Sequence, residues 1–337
     1  MSRAAVSLSA DRVLSLLRAA GEETRLRIIL LLNTGELNVS DITHILGQSQ
    51  PRISRHLKLL VDSGLVERAR EGSWAFYRLN DTGAVSPLLN SVIGAVDRKD
   101  PVISRDAERL AAVRARHAQR AREYFASHAR DWNLIRSLHV EEEAVESAIV
   151  DLLDGRHFPT AVDLGTGTGR MLELVAGQAD VAIGVDLSHE MLAVARSALE
   201  QAGLAHCRVR HGDISSVPLE TDSADLVLVH QVLHFLSDPT VAINEAARVL
   251  APGGSLMIVD FSPHQLEFLR ESHAHQRLGF ENDQMVRWFH GAGLTFDKQV
   301  ELPAPEGEDS LTVSIWLARD PRAARTVSAP QEGTLAS

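Results

Sequence analysis

The sequence predicts two domains of different class, a small α+β domain followed by an α/β domain on a mostly parallel sheet. Three observations predict it. Residues 38–60, NVSDITHILGQSQPRISRHLKLL, read as two short helices joined by a tight turn. Residues 161–169, AVDLGTGTG, read as a strand running into a glycine-rich loop. From about residue 142 strand patterns alternate with helical ones, which argues for right-handed β-α-β crossovers. A chain of 337 residues is also long for one core.

The charge divides along the same line. The formal net charge is −11, yet the chain up to Arg130 holds 20 Lys+Arg against 14 Asp+Glu, and the remainder holds 14 against 31. A basic N-terminal part favours phosphate contact, and an acidic remainder is repelled by DNA. The single cysteine, Cys207, allows no internal disulfide and fits a reducing compartment. No run of eighteen apolar residues and no basic-then-apolar leader is seen, so a cytoplasmic location with no membrane partner is expected.

The elements follow in order. Residues 11–33 carry two helices separated by Gly21. A third helix starts at Asn38-Val39-Ser40, with Asn38 or Ser40 able to cap it, and ends at Leu46-Gly47. Ser49 is expected to cap the fourth, and Pro51 is tolerated in its first turn. Leu65–Arg68 and Trp74–Leu79 read as strands around a Glu71-Gly72-Ser73 turn. A helix around 84–98 follows, Pro101 interrupts, and an Arg- and Ala-rich helix spans about 104–129. Strands are expected at 160–164, 181–186, 207–210, 225–229 and 255–260. Two more, at 295–302 and 310–318, have only a loop between them and read as an antiparallel edge pair. The expected boundaries are 1–99 for the first domain, 100–130 for a helical linker and lid, 131–319 for the second domain, and 320–337 for a disordered tail.

In the fourth helix Ile53, Leu57 and Leu60 share one face and pack inward. Gln50, Arg52, Ser54, Arg55 and Lys58 are then left facing outward. Gln and Arg can bond adenine and guanine edges in pairs, and Ser reaches base or phosphate. Gln50, Arg52, Ser54 and Arg55 are therefore the expected base readers, and Lys58, Arg68 and Arg78 the expected phosphate contacts. With SRHLKLL as recognition helix and SGLVERAREGSWAFYRL as wing, residues 10–95 resemble the winged helix-turn-helix of the ArsR/SmtB regulators. That resemblance implies a homodimer on an inverted-repeat operator in double-stranded DNA. Metal-sensing members carry a cysteine pair at the start of the third helix. This chain has Asn38 and Asp41 there, so thiolate-based soft-metal sensing is not expected.

The loop after Asp163-Leu164 reads Gly165-Thr166-Gly167-Thr168-Gly169. Its spacing departs from the G-x-G-x-x-G dinucleotide fingerprint, because Arg170 stands where the third glycine would be. It is similar instead to the D-x-G-x-G-x-G loop of class I S-adenosylmethionine-dependent methyltransferases, and the resemblance runs from about 120 to 318. It implies a Rossmann-like, mostly parallel seven-stranded sheet with an antiparallel edge pair. It also implies roles residue by residue, with S-adenosylmethionine or S-adenosylhomocysteine as cofactor. Asp163, Gly165, Thr166, Gly167 and Gly169 form the loop. Asp186, at the end of IGVDLS, takes the ribose hydroxyls. Met191 packs on the adenine side, the acid Asp213 of HGDI binds its amino group, Leu187 and Ile214 stand beside them in the cofactor-binding set, and His230 ends the fourth strand. Tyr124 belongs to an aromatic lid.

His230, His234, Asp260 and His264 follow the fourth and fifth strands and are the candidate catalytic residues, because ligands in open α/β sheets bind beyond the strands' carboxyl ends. No acceptor motif is present. Methylation of arsenite needs several thiols, and one cysteine cannot supply them. No metal is expected, since His273 and His275, two apart on an expected helix, diverge. The fusion resembles bacterial regulators that respond to S-adenosylhomocysteine and control methionine-cycle genes. This implies a regulator, a repressor, that reads the nucleotide. The alternative is an active small-molecule methyltransferase carrying a DNA-binding module.

Overall fold

The computed structural model describes residues 8–71, 73–80, 84–129, 132, 141–303 and 311–323. They form two compact units, one drawn from Met1–Ser127, Leu233–Thr240 and Phe261–Phe280, the other from His128–Val232, Val241–Asp260 and Glu281–Ser337.

In the first unit, α1 (Ala10–Ala20) and α2 (Glu23–Leu32) begin at side-chain caps from Ser9 and Glu22. Both caps satisfy N–H groups that a helix's first turn leaves unpaired. The short strand β1 (Leu37–Asn38) leads into α3 (Val39–Leu46), and Gly47 closes that helix in the left-handed conformation. Of the two expected caps for α3, Asn38 serves, its Oδ1 accepting the Asp41 N–H at 2.8 Å. α4 (Gln50–Asp62) starts after an extended Ser49, but the Ser49 side chain makes no capping bond. Pro51 lacks one of the N–H groups that would need it.

The helices bury a shared core in which Leu16, Ile28, Ile29, Ile42, Ile45, Ile53, Leu57 and Leu60 have no exposed surface. Each such side chain contributes about 1.5–3 kcal/mol by leaving water. The strands β2 (Val66–Glu71) and β3 (Trp74–Leu79) pair antiparallel, and β1 adds to β3.

α5 (Ser86–Gly94) is shorter than its pattern suggests. The next helix, α6 (Pro101–His128), is longer than expected. Pro101 opens it rather than interrupting the chain, and Asp100 caps it by accepting the Val102 N–H at 2.8 Å. α6 is no mere linker. Leu110 and Val113 join the helical core, and Asp106 receives a two-bond contact from Arg27, 2.7 Å at each oxygen.

The second unit opens with α7 (Glu142–Leu153) and is built on a seven-stranded sheet. In chain order the strands are β4 (Phe158–Leu164), β5 (Ala179–Asp186), β6 (Cys207–His211), β7 (Ala224–His230), β8 (Leu250–Phe261), β9 (Thr295–Leu302) and β10 (Val313–Arg319). In space the order is β6-β5-β4-β7-β8-β10-β9. β4 pairs parallel with both β5 and β7, β5 with β6, and β7 with β8, while β9 and β10 are the antiparallel pair. α8 (Arg170–Val175), α9 (His189–Gln201), α10 (Pro239–Val249) and α12 (Asn282–Gly291) supply the helical connections. β10 lies between β8 and β9, which explains why Val313–Ala318 are buried while no residue of the edge strand β9 is.

The tail begins later than expected. Asp320 is buried, its N–H donates to Gly254 O, and its carboxylate accepts from Arg322. The rest of the tail, from 324, lies outside the described residues.

Candidate nucleic-acid interface and nucleotide site

The inward and outward faces of α4 separate as the spacing requires. Ile53, Leu57 and Leu60 are fully buried, while Gln50, Arg52, Ser54, Arg55 and Lys58 are exposed. Arg68 on β2 is exposed as well. Ser40 of α3, Gln50, Ser54 and Lys58 of α4, and Arg68 and Trp74 of the wing line one open groove of about 580 Å³. A polar, partly basic cleft between a helix and a hairpin can follow a phosphate backbone while the helix's first turn reaches base edges.

Arg78 is placed differently. It is half-buried, its Nε donates to Glu67 at 2.9 Å, and Glu36 lies 3.7 Å away, so two carboxylates already neutralise its charge. A strand position alone could not reveal which cross-strand neighbour would claim it.

The start of α3 is likewise committed internally. Asn38 caps the helix and donates to Asp41 Oδ2 at 2.8 Å, and His117 of α6 stands 3.6 Å from Asp41. Among the described residues no group of three or more His, Cys, Asp or Glu is placed to hold a metal.

In the second unit the loop residues after β4 meet the acid after β5. Gly165 and Gly167 have φ of +77° and +52°, and a Cβ on Gly165 would lie 2.5 Å from Val232. Only glycine combines that backbone with that approach. The Gly165 and Thr166 N–H groups both donate to Val185 O, which clamps the loop onto β5. Asp186 then accepts the Gly167 N–H at one oxygen and the Ser188 N–H at the other, each at 2.8 Å. Burial pushes its carboxyl above the ordinary value, partly opposed by those N–H bonds. Gly169 supplies the left-handed entry to α8, and Asp163 is buried beneath the loop.

Ser188 caps α9 by accepting the Met191 N–H, and Met191 is buried. Leu187 offers its carbonyl to the His211 imidazole at 3.1 Å, and His211 stacks on His189 at 4.1 Å. Asp213 is exposed and turns its carboxylate to Ser215, beside half-buried Ile214.

The fit to an S-adenosyl nucleotide rests on this geometry. The buried Thr166 hydroxyl has no hydrogen-bond partner among the described residues. The Asp186 carboxylate has about four acceptor sites, so the N–H bonds it takes from the loop and from Ser188 leave room for a hydroxyl donor.

The four candidate catalytic residues divide between the units. His230 and Asp260, both buried, end β7 and reach the end of β8 in the second unit. His234 and His264 belong to the first unit. So does Tyr124, whose hydroxyl lies 2.7 Å from His273 Nδ1.

The expected helix carrying His273 and His275 is a correction. α11 (Phe268–Ser272) stops first, and Ala274 turns left-handed at φ +58°. His275 therefore folds back against His234, ring centroids 4.2 Å apart. Glu36, Glu71, Arg270 and Arg277, which the sequence does not single out, are all buried and joined to one another. No local pattern marks them: Glu71 stands between Arg70 and Gly72, Arg270 is followed by Glu271, and Arg277 follows Gln276.

Comparison with known proteins agrees with this two-part picture. Residues 22–68 match the family described as bacterial regulatory protein, arsR family, and residues 162–258 match the family described as methyltransferase domain. The arsenic resistance transcriptional regulator ArsR1 of Pseudomonas putida is 39% identical over 98 residues, covering 28% of this chain and 75% of that protein. An uncharacterized 37.1 kDa protein in a transposon of Streptomyces fradiae is 40% identical over 116 residues, 34% of this chain and 33% of that protein. An arsenite methyltransferase of Aquipseudomonas alcaligenes is 36% identical over 119 residues, 32% of this chain and 34% of that protein. The matched region thus spans about a third of the Streptomyces and Aquipseudomonas relatives.

The chain thus joins a winged helix-turn-helix of the arsR type to a methyltransferase-type domain. Through its first unit the chain belongs to the arsR family of bacterial regulatory proteins. The second unit carries the region that matches the methyltransferase domain, residues 162–258.

Proposed function

We propose that the protein is a cytoplasmic transcription regulator, a repressor, that binds an inverted-repeat operator in double-stranded DNA as a homodimer. Its methyltransferase-type domain binds S-adenosylmethionine or S-adenosylhomocysteine and couples methionine-cycle status to operator affinity. The observation that carries the DNA half is the exposed Gln50, Arg52, Ser54 and Arg55 face above a fully buried Ile53–Leu57–Leu60 stripe. On this reading Gln50, Arg52, Ser54 and Arg55 read bases, and Lys58 and Arg68 hold phosphate. Arg78 drops out of the phosphate set because Glu67 and Glu36 hold it.

For the nucleotide, Asp186 would take the ribose hydroxyls, the Gly165–Gly169 loop would face the amino-acid part, and Leu187, Met191, Asp213 and Ile214 would enclose the adenine. A nucleotide changes DNA affinity only if it prefers one of two protein states. The test is titration of DNA binding with each nucleotide. A change in affinity with one of them is expected, and no change with either would sink the regulator reading.

A second reading is favoured by His230 and Asp260, buried at adjacent strand ends of the nucleotide unit. There the domain transfers a methyl group to a small molecule, which needs in-line positioning and, for a protonated acceptor, a base. Arsenite is a poor choice of acceptor, since the one thiol, Cys207, is buried. Transfer of tritium from labelled S-adenosylmethionine to a metabolite extract would support this reading.

A further inference from the structure

The segment Phe261–Phe280 leaves the last residues of β8 and re-enters the second unit before α12, yet it folds as part of the first unit. Its Arg277 has no exposed surface. The guanidinium donates from Nε to Glu71 Oε1 at 2.8 Å and from Nη2 to Glu71 Oε1 at 2.5 Å and Glu36 Oε2 at 2.8 Å. It also lies 4.1 Å from the Phe76 ring centre. Glu71 ends β2 and Phe76 sits in β3, so one side chain grips both strands of the wing.

Arg270 repeats the grip. It reaches Glu71 O at 3.3 Å and stacks 4.3 Å over the Trp74 ring. At the hairpin's tip the Ser73 N–H donates to Glu267. Ordinary packing of a segment on a sheet would be apolar, and an apolar replacement of a buried ion pair is often as stable or more so. What a buried guanidinium fork adds is direction, because its planar donors accept one arrangement of partners.

The other end of the path is also visible. Gln276 and Arg277 both donate their backbone N–H to His234 O, at 2.8 and 3.0 Å. His234 lies two residues beyond Val232 in the chain. Val232 is the side chain that crowds Gly165 of the nucleotide loop, 2.5 Å from where a Cβ would stand. Both ends of the route are thus close-packed, and packed contacts of this kind pass small shifts on rather than absorbing them.

We propose that this route is the switch: nucleotide occupancy at the Gly165 loop moves Val232 and the His234 carbonyl, and the Arg277–Glu71 grip carries the movement to the DNA-binding wing. This rests on the reading of the protein as a nucleotide-responsive regulator and names the route by which it would respond.

The test is amide hydrogen exchange on the full chain with and without S-adenosylhomocysteine, alongside affinity for a DNA fragment selected from a random pool. Wild type is compared with the volume-conserving pair Arg277→Met and Glu71→Gln, and with Arg277→Lys, which keeps the charge and loses the fork. Slowed exchange at 165–169 reports nucleotide binding in every protein. In wild type the nucleotide should change exchange across 66–79 by about threefold or more, and in both variants that change should vanish while the 165–169 effect remains.

A wing response that persists in the variants, or never occurs in wild type, overturns the route. A wing response without any change in DNA affinity supports the route and fells the regulator reading. An equal nucleotide effect on DNA affinity in wild type and variants does the reverse. Absence of protection at 165–169 in wild type fells both.

Discussion

α4 and the segment Phe261–Phe280 are both rich in arginine and histidine, and they use them in opposite ways. On α4 the charges of Arg52, Arg55 and Lys58 stand exposed outside an apolar stripe, as suits groups awaiting an external partner. In the segment, Arg270 and Arg277 are buried and already bonded. The lesson is that a basic run announces a binding surface only where the fold leaves it exposed. Where the fold buries it, the same chemistry becomes internal structure.

The largest effect expected from this contrast is at Arg277. Arg277→Ala leaves two buried carboxylates short of their partner, and denaturant unfolding should show a loss of about 3–5 kcal/mol. A loss below about 1 kcal/mol would place Arg277 among ordinary surface charges.

Asp186→Ala comes next. It removes the acceptor of the Gly167 and Ser188 N–H groups as well as the proposed ribose contact. S-adenosylhomocysteine affinity measured by calorimetry should fall by roughly ten- to a hundredfold, on the scale of one or two bonds to a charged group. DNA affinity without nucleotide should be unchanged.

Arg55→Ala should cost about tenfold in DNA affinity, the worth of one good base contact, with nucleotide affinity and unfolding both as in wild type. A change in unfolding as large as that of Arg277→Ala would erase the distinction between the two regions.

The smallest effect concerns pH. Burial, reinforced by neighbouring His234, holds His275 well below its ordinary value of 6.5. The unfolded chain therefore takes up a proton that the folded one refuses. The stability this gives is complete above about 6.5 and declines as pH falls from there toward the folded value. Unfolding midpoints should drop between pH 7 and 5 more steeply in wild type than in His275→Gln. Parallel slopes would show that His275 titrates as if exposed.

Much of the fold was legible because its signals are local. The Ile53–Leu57–Leu60 spacing determines which face of α4 is buried whatever surrounds it. The β-α alternation with a glycine loop determines a parallel sheet and the place of its ligand, since those strand ends can be joined only by crossovers. The sequence by itself therefore determined the two folds, the recognition face and the meeting of Gly165–Gly169 with Asp186.

Tertiary structure alone decided what became of individual charges. Arg78 looked like a phosphate contact until Glu67 and Glu36 closed on it. His275 looked divergent until the Ala274 turn ended the helix. Glu71 and Arg277 are separated by more than two hundred residues, and no periodicity or motif links them. The physical reason is one of range: helix and strand patterns depend on neighbours a few residues away, whereas a charge takes its role from whichever partner the folded chain brings within about 3 Å.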